Sequence, residues 1–198
     1  MARKQRICMP ETTCHTTSRC IEKKPLMKPD KMKDLMLHVI KLSLLKYNFE
    51  MIEYAIMDNH FHFYIRTLKN GESISRIMQF IKSQFARRYN RLMNRTGPFW
   101  NERFSDTIVE LTENPEQTFW YIFMYIAYNP VRSKYVKDPR DYLYCSFRSY
   151  FNDRYISPVP ITIHNYFLKL GNTFRERMEK FLGFEELYRK RIFAEGIF

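Results

Sequence analysis

Two histidines stand two residues apart in His60-Phe61-His62. Along an extended strand successive side chains alternate faces, so residues i and i+2 point the same way. On a strand, both imidazoles face one point and can share a divalent metal ion, while Phe61 turns into the core. The tripeptide equally suits a pair of hydrogen-bonded or surface histidines, and by itself it does not choose. Downstream, Tyr125 and Asn129 are four residues apart, which puts them on one face of a helix. Asn129 offers an amide oxygen to complete a donor set with His60 and His62. Tyr125 offers a phenol, a poor nucleophile at its free pKa near ~10 that a nearby cation or base activates. Tyr121 and Tyr128 share this aromatic-rich segment, and spacing leaves all three tyrosines open.

The elements that must position these groups follow from patterning. Thr12–Ile21 reads as a strand. Asp30 is a candidate N-cap, followed by Met32, Leu35, Met36, Val39, Ile40 and Leu44 at helical spacing. Phe49–Met57 and Phe61–Arg66 read as strands joined through a turn at Asp58-Asn59. A second helix over Ser73–Asn94 buries Ile74, Ile77, Met78, Ile81, Phe85 and Leu92. Its opposite face carries Arg87, Arg88, Arg91 and Arg95. Phe104–Leu111 reads as a fourth strand. Asn114-Pro115-Glu116-Gln117 is a helix start, with a capping Asn and Pro at the first helical position. Pro130 disfavours helix at Asn129, so this third helix ends about there. The order predicts an α+β fold, a ferredoxin-like antiparallel sheet with helices on one face. Residues 1–133 form the principal domain, and residues 134–198 a helical C-terminal extension with helices near Ile163–Leu170 and Thr173–Arg191.

Of 198 residues, 45% are hydrophobic, enough for a substantial core. Lys and Arg number 33 against 21 Asp and Glu, a net charge of +12. Such an excess favours a polyanionic partner, and aromatic residues at 17% add rings that stack on exposed bases. No apolar run approaches the ~18 residues that span a bilayer, and no apolar signal core follows the basic Met1–Arg6. Cys8, Cys14, Cys20 and Cys145 form no CxxC pair and read as reduced thiols of a cytoplasmic protein. No phosphate-binding or dinucleotide fingerprint occurs.

Five blocks in order carry a resemblance to the REP-associated tyrosine transposases, single-tyrosine HUH endonucleases related to small insertion-sequence transposases. They are MARKQRI at the start, YAIMDNHFHFYI (Tyr54–Ile65), GPFWNERFSDTIVE (Gly97–Glu110), YIAYNPVRSKYV (Tyr125–Val136) and DPRDYLYCSFRSYF (Asp138–Phe151). Asp58 stands where the family commonly has Pro, Ser133-Lys134 replaces Ala-Gly, and Tyr144-Cys145 replaces Trp-Ser. The Asp58 change brings a carboxylate near the expected metal site.

The resemblance implies that Tyr125 is the nucleophile and that His60, His62 and Asn129 hold Mg²⁺ or Mn²⁺. It implies cleavage of single-stranded DNA beside a hairpin through a 5′-phosphotyrosine intermediate, with monomer and homodimer both open. Arg87, Arg88, Arg91 and Arg95 are candidate phosphate contacts. Arg3, Lys4 and Arg6 form a basic arm, and Trp100 is a candidate base-stacking ring or a core residue. Three other readings compete: a non-catalytic hairpin DNA-binding protein of the same fold, an RNA-binding sheet, and a zinc hydrolase, which wants a carboxylate base and no tyrosine.

Overall fold

A computed structural model of the chain describes residues 9–152, 154–194 and 196. The basic arm of Arg3, Lys4 and Arg6 lies outside these described residues, as does Cys8. Strands β1 (Thr13–Arg19), β2 (Phe49–Ile56), β3 (His60–Thr67) and β4 (Ser105–Ile108) form one antiparallel sheet in the order β2-β3-β1-β4. The α+β class stands. The fourth strand is shorter than its sequence pattern, because Val109–Leu111 closes into a single 3₁₀ turn.

Helices α1 (Asp30–Lys46) and α2 (Ile74–Leu92) cover one face of the sheet. Pro29, not Asp30, takes the N-cap position of α1, and Asp30 sits in the first turn, where a carboxylate opposes the positive end of the helix dipole. In α2 the Ser73 hydroxyl accepts the Arg76 N–H at 3.4 Å. Its apolar stripe runs from Ile74 to Tyr89. Leu92, expected in that stripe, is exposed, because Tyr89, packed on Phe85 and Phe99, closes the stripe a turn earlier.

The expectation of helices on a single face holds only for α1 and α2. Helix α3 (Pro115–Ala127) packs on the opposite face, against Ile52, Ala55 and Tyr64. The reason is legible in β2, which is buried along nearly its whole length rather than at alternate positions, so both of its faces need cover. Asn114 caps α3 by accepting the Gln117 N–H at 3.2 Å. The chain leaves α3 at Ala127, passes through Tyr128, and turns once more as α4 (Asn129–Arg132), with Pro130 in its first turn, where a missing N–H costs nothing. The C-terminal segment adds α5 (Asn165–Leu168) and α6 (Phe174–Ala194). Phe147, Tyr150, Phe167, Phe181 and Tyr188 from this segment share one core with α3. Among the described residues no helix is long and apolar enough to cross a membrane. Cys14, Cys20 and Cys145 are buried.

Candidate functional site

The register of the sheet decides what surrounds the histidine pair. On β3, Phe61 and Phe63 face α1 and α2, so His60, His62 and Tyr64 face α3. On β1, His15 lies opposite Tyr64, Thr17 opposite His62 and Arg19 opposite His60. Three imidazoles thereby share the α3 face of two adjacent strands.

Helix α3 and its continuation bring the remaining groups. The Asn129 amide stands between the two histidines of the pair: its Oδ1 is 3.3 Å from His60 Nε2 and its Nδ2 is 3.1 Å from His62 Nε2. One turn earlier, the Tyr125 ring meets His62 edge-on at 5.4 Å between centroids and His15 at 6.1 Å. The Arg132 guanidinium lies 5.6 Å from the centroid of the Tyr125 ring. The three tyrosines take different surroundings. Tyr128 is buried and donates to Glu185 at 2.5 Å, and Tyr121 is exposed beside Tyr188 and Arg191. Of the three, Tyr125 is the one against the imidazoles.

Burial lowers the His15 imidazole to about 4. It also lowers His60 to about 4, with the Arg19 charge adding to the effect. His62 is held well below its ordinary value by burial first, then by His15 and His60. All three rings are therefore neutral at pH 7, each with one proton to place. His60 Nδ1 lies 2.7 Å from Asn59 Oδ1 and gives its proton there, since that is much the shorter of its two contacts with an amide oxygen. Its Nε2 lone pair then faces the lone pairs of Asn129 Oδ1 across 3.3 Å with no proton between them.

That juxtaposition is what a divalent cation fits. Two imidazole Nε2 atoms from β3 and one amide oxygen from α4 converge. Imidazole donors suit Mn²⁺ better than Mg²⁺, which prefers oxygen. Among the described residues no group of three or more His, Cys, Asp or Glu is arranged to hold a metal ion, so the donor set needs the amide. Asp58 does not join it. Its carboxylate pairs with buried Lys33 at 2.9 Å, and Lys33 also donates to the Lys28 carbonyl at 2.8 Å.

The expected nucleic-acid contacts are dispersed. Arg87, Arg88 and Arg91 are exposed on α2, behind the sheet from Tyr125. Arg95 donates to Asn90 at 3.3 Å and to the Pro98 carbonyl at 2.9 Å, bracing the loop after α2. Trp100 is half-buried, donates to the Lys82 carbonyl at 3.0 Å and packs on Phe61, Phe85 and Phe99. It belongs to the α2 side, as a core residue does. Arg19 is nearer the imidazoles, beside a cleft of about 270 Å³ lined also by Thr17, Lys23, Arg103 and Ser105. Sequence reasoning missed His15 and Arg19. Their side-chain parity on β1 was readable, but no local signal tells which strand pairs with β3.

Residues 8–126 match the family described as IS200-like transposases, well over half of the chain. This chain belongs to the IS200-like transposase family. The matched segment holds His15, His60, His62 and Tyr125 and ends before Asn129. A Haemophilus influenzae protein named for the REP-associated tyrosine transposases is 26% identical over 110 residues, covering 51% of this chain and 60% of that relative. The chain thus matches about three-fifths of the length of this curated member. A solved structure described as the REP-associated tyrosine transposase bound to a REP hairpin superposes with a TM-score of 0.63 at 20% identity, over 83% of this chain and 94% of the other. That likeness is one of fold, and it covers more of the chain than the family match does.

Proposed function

We propose that this IS200-like transposase cleaves and transfers single-stranded DNA beside a hairpin, with Tyr125 as nucleophile. The observation that carries the reading is the meeting of Tyr125 with His62 at 5.4 Å, edge to face, where Asn129 bridges both members of the histidine pair. Core packing alone does not call for two imidazoles and an amide turned toward one point beside a phenol.

In this reading the Tyr125 oxygen attacks the scissile phosphorus in line. The phenol gives up its proton as its oxygen bonds to phosphorus, the bond to the departing 3′ oxygen breaks, and that oxygen takes up a proton. The products are a 5′-phosphotyrosine and a free 3′-hydroxyl. The ester retains the energy of the broken linkage, so a 3′-hydroxyl can later attack it and release Tyr125. His60, His62 and Asn129 would hold the divalent ion, Mg²⁺ or Mn²⁺, which when bound supplies Lewis-acid stabilisation of the charge that develops on the phosphate oxygens. His62 also confines the Tyr125 ring through its edge contact. The net charge of +12 supports a polyanionic substrate, and the hairpin bound by the structural relative supports a hairpin within it. Arg132 lies against the Tyr125 ring, Arg19 and the cleft beside it flank His60, and the α2 arginines provide a further phosphate track.

Incubation with hairpin-bearing single-stranded DNA and Mn²⁺, followed by denaturing electrophoresis, tests the assignment. A protein–DNA adduct is expected from wild type, with none from Tyr125→Phe and none with chelator. An adduct that survives in Tyr125→Phe would falsify the choice of nucleophile. Hairpin binding with no adduct under any metal would instead favour a non-catalytic hairpin-binding protein.

A further inference from the structure

We propose that His15, from the first strand, is a positioning residue that sets which nitrogen of His62 is unprotonated and so able to bind metal. The inference rests on the metal centre described above and goes beyond its three donors.

The argument follows the protons. Asn129 Nδ2 lies 3.1 Å from His62 Nε2. An amide N–H only donates, so Nε2 accepts and carries no proton, which places the ring's proton on Nδ1. That Nδ1 lies 2.9 Å from His15 Nε2, which therefore accepts it, leaving the His15 proton on its own Nδ1. The two rings are inclined by only 21° with centroids 5.2 Å apart, as suits an edge-to-edge N–H···N bond. His62 is buried at 4% exposure, so no water replaces His15 at low cost. A metal-ligating histidine donates its other N–H to a fixed acceptor, which holds the tautomer, orients the ring and strengthens the ligand. A carboxylate or carbonyl commonly fills that place; here a second imidazole fills it.

His60 is served differently. Its Nδ1 is held by the Asn59 side chain at 2.7 Å, and Asn59 is itself anchored by donating to the Lys23 carbonyl at 2.9 Å. Each member of the pair thus has its own tautomer-fixing partner, Asn59 for His60 and His15 for His62. His15 has a second contact, the edge of the Tyr125 ring at 6.1 Å. One side chain therefore braces both a ligand and the nucleophile.

The test reads the tautomer without DNA or turnover. Long-range ¹H–¹⁵N spectra of the metal-free wild-type protein should show His62 protonated on Nδ1 and unprotonated on Nε2. A proton on Nε2 overturns the proposal whatever any variant does. Mn²⁺ affinity is then followed by electron paramagnetic resonance. His15→Leu fills the space without an acceptor and should weaken Mn²⁺ binding by about 10- to 100-fold. His15→Gln restores an acceptor oxygen near the position of Nε2 and should recover most of that loss. If His15→Leu binds Mn²⁺ as wild type does, His15 is packing only and the proposal fails alone. If wild type shows the Nδ1 tautomer yet binds no Mn²⁺, the metal centre fails and takes the proposal with it. Should His15→Leu not fold, failure of the folded His15→Gln protein to bind Mn²⁺ overturns the proposal, and its near-wild-type affinity upholds it.

Discussion

The Tyr128 hydroxyl donates to the Glu185 carboxylate at 2.5 Å, joining residues 57 apart in the chain. Tyr128 is the hinge between α3 and α4 and immediately precedes Asn129, so this bond ties α6 to the helix junction that carries both Tyr125 and Asn129. Arg140 completes the arrangement by reaching Glu185 at 3.2 Å and Asp138 at 2.7 Å. Removing Glu185 leaves a buried phenol and a partly buried guanidinium without their shared acceptor. Glu185→Leu is expected to destabilise the chain by about 3 kcal/mol in urea unfolding. Tyr128→Phe should cost less, about 1–2 kcal/mol, because Arg140 still pairs with Glu185. Equal stability of Glu185→Leu and wild type would remove the latch from the account.

The two members of the histidine pair should respond differently to truncation. His60 is half-buried, whereas His62 is buried and bonded to both His15 and Asn129. Each alanine substitution is expected to lower adduct formation by at least about a hundredfold. His62→Ala should in addition lower the melting temperature, since it orphans His15 Nε2 and the Asn129 amide. His60→Ala should leave it nearly unchanged. Melting curves that rank the two the other way would contradict the described burial.

Acid should destabilise the fold. His15, His60 and His164 are each lowered to about 4, chiefly by burial, and burial also holds His62 well below its ordinary value. Between pH 6.5 and 4 the unfolded chain binds protons at these sites and the folded chain does not. Stability therefore rises with pH across that window and is lost as pH falls through it, by about 1.4 kcal/mol per pH unit for each such group. His164 offers a check away from the candidate site. It caps α5 by accepting the Tyr166 N–H at 3.2 Å and stacks on Phe119. His164→Asn keeps an acceptor at the cap and should reduce the slope by one proton. An unchanged slope would show that His164 titrates alike in both states.

Glu53 presents the opposite case. Both carboxylate oxygens are buried without a hydrogen-bond partner among the described residues, and burial holds the group well above the usual carboxylate range. The folded chain keeps this proton while the unfolded chain releases it, so Glu53 costs stability increasingly as pH rises above its ordinary value near 4.5. Glu53→Met replaces the carboxyl with an apolar group of similar length. It should stabilise the chain by about 1–3 kcal/mol at pH 7, with a smaller gain at pH 5. A destabilised variant would point to a partner for the carboxyl beyond those described.

The α2 arginines and the candidate site are separated by the sheet, which makes their roles separable. Arg87→Ala, Arg88→Ala and Arg91→Ala combined should weaken hairpin DNA binding and flatten its salt dependence by about 0.7 for each lost phosphate contact. The cleavage rate of bound DNA should not change. Arg19→Ala, opposite His60, should lower that rate. A salt slope unaltered by the triple substitution would make the α2 face a solvated surface.

Local chemistry was enough to place the elements. The alternation around Phe61, the apolar stripe of α2 and the Asn114-Pro115 start each report a structure stabilised mainly by neighbours a few residues away, and each element formed within a few positions of its pattern. The same locality made His60, His62, Tyr125 and Asn129 readable as candidates, because strand and helix periodicity fix which side chains share a face. Everything between elements was different. That His15 meets His62, that Tyr125 rather than Tyr121 or Tyr128 reaches the imidazoles, that α3 takes the second face of the sheet, and that Asp58 is consumed by Lys33 all depend on strand order and helix rotation. Those are set by the joint packing of distant apolar surfaces, which a period along one chain does not encode.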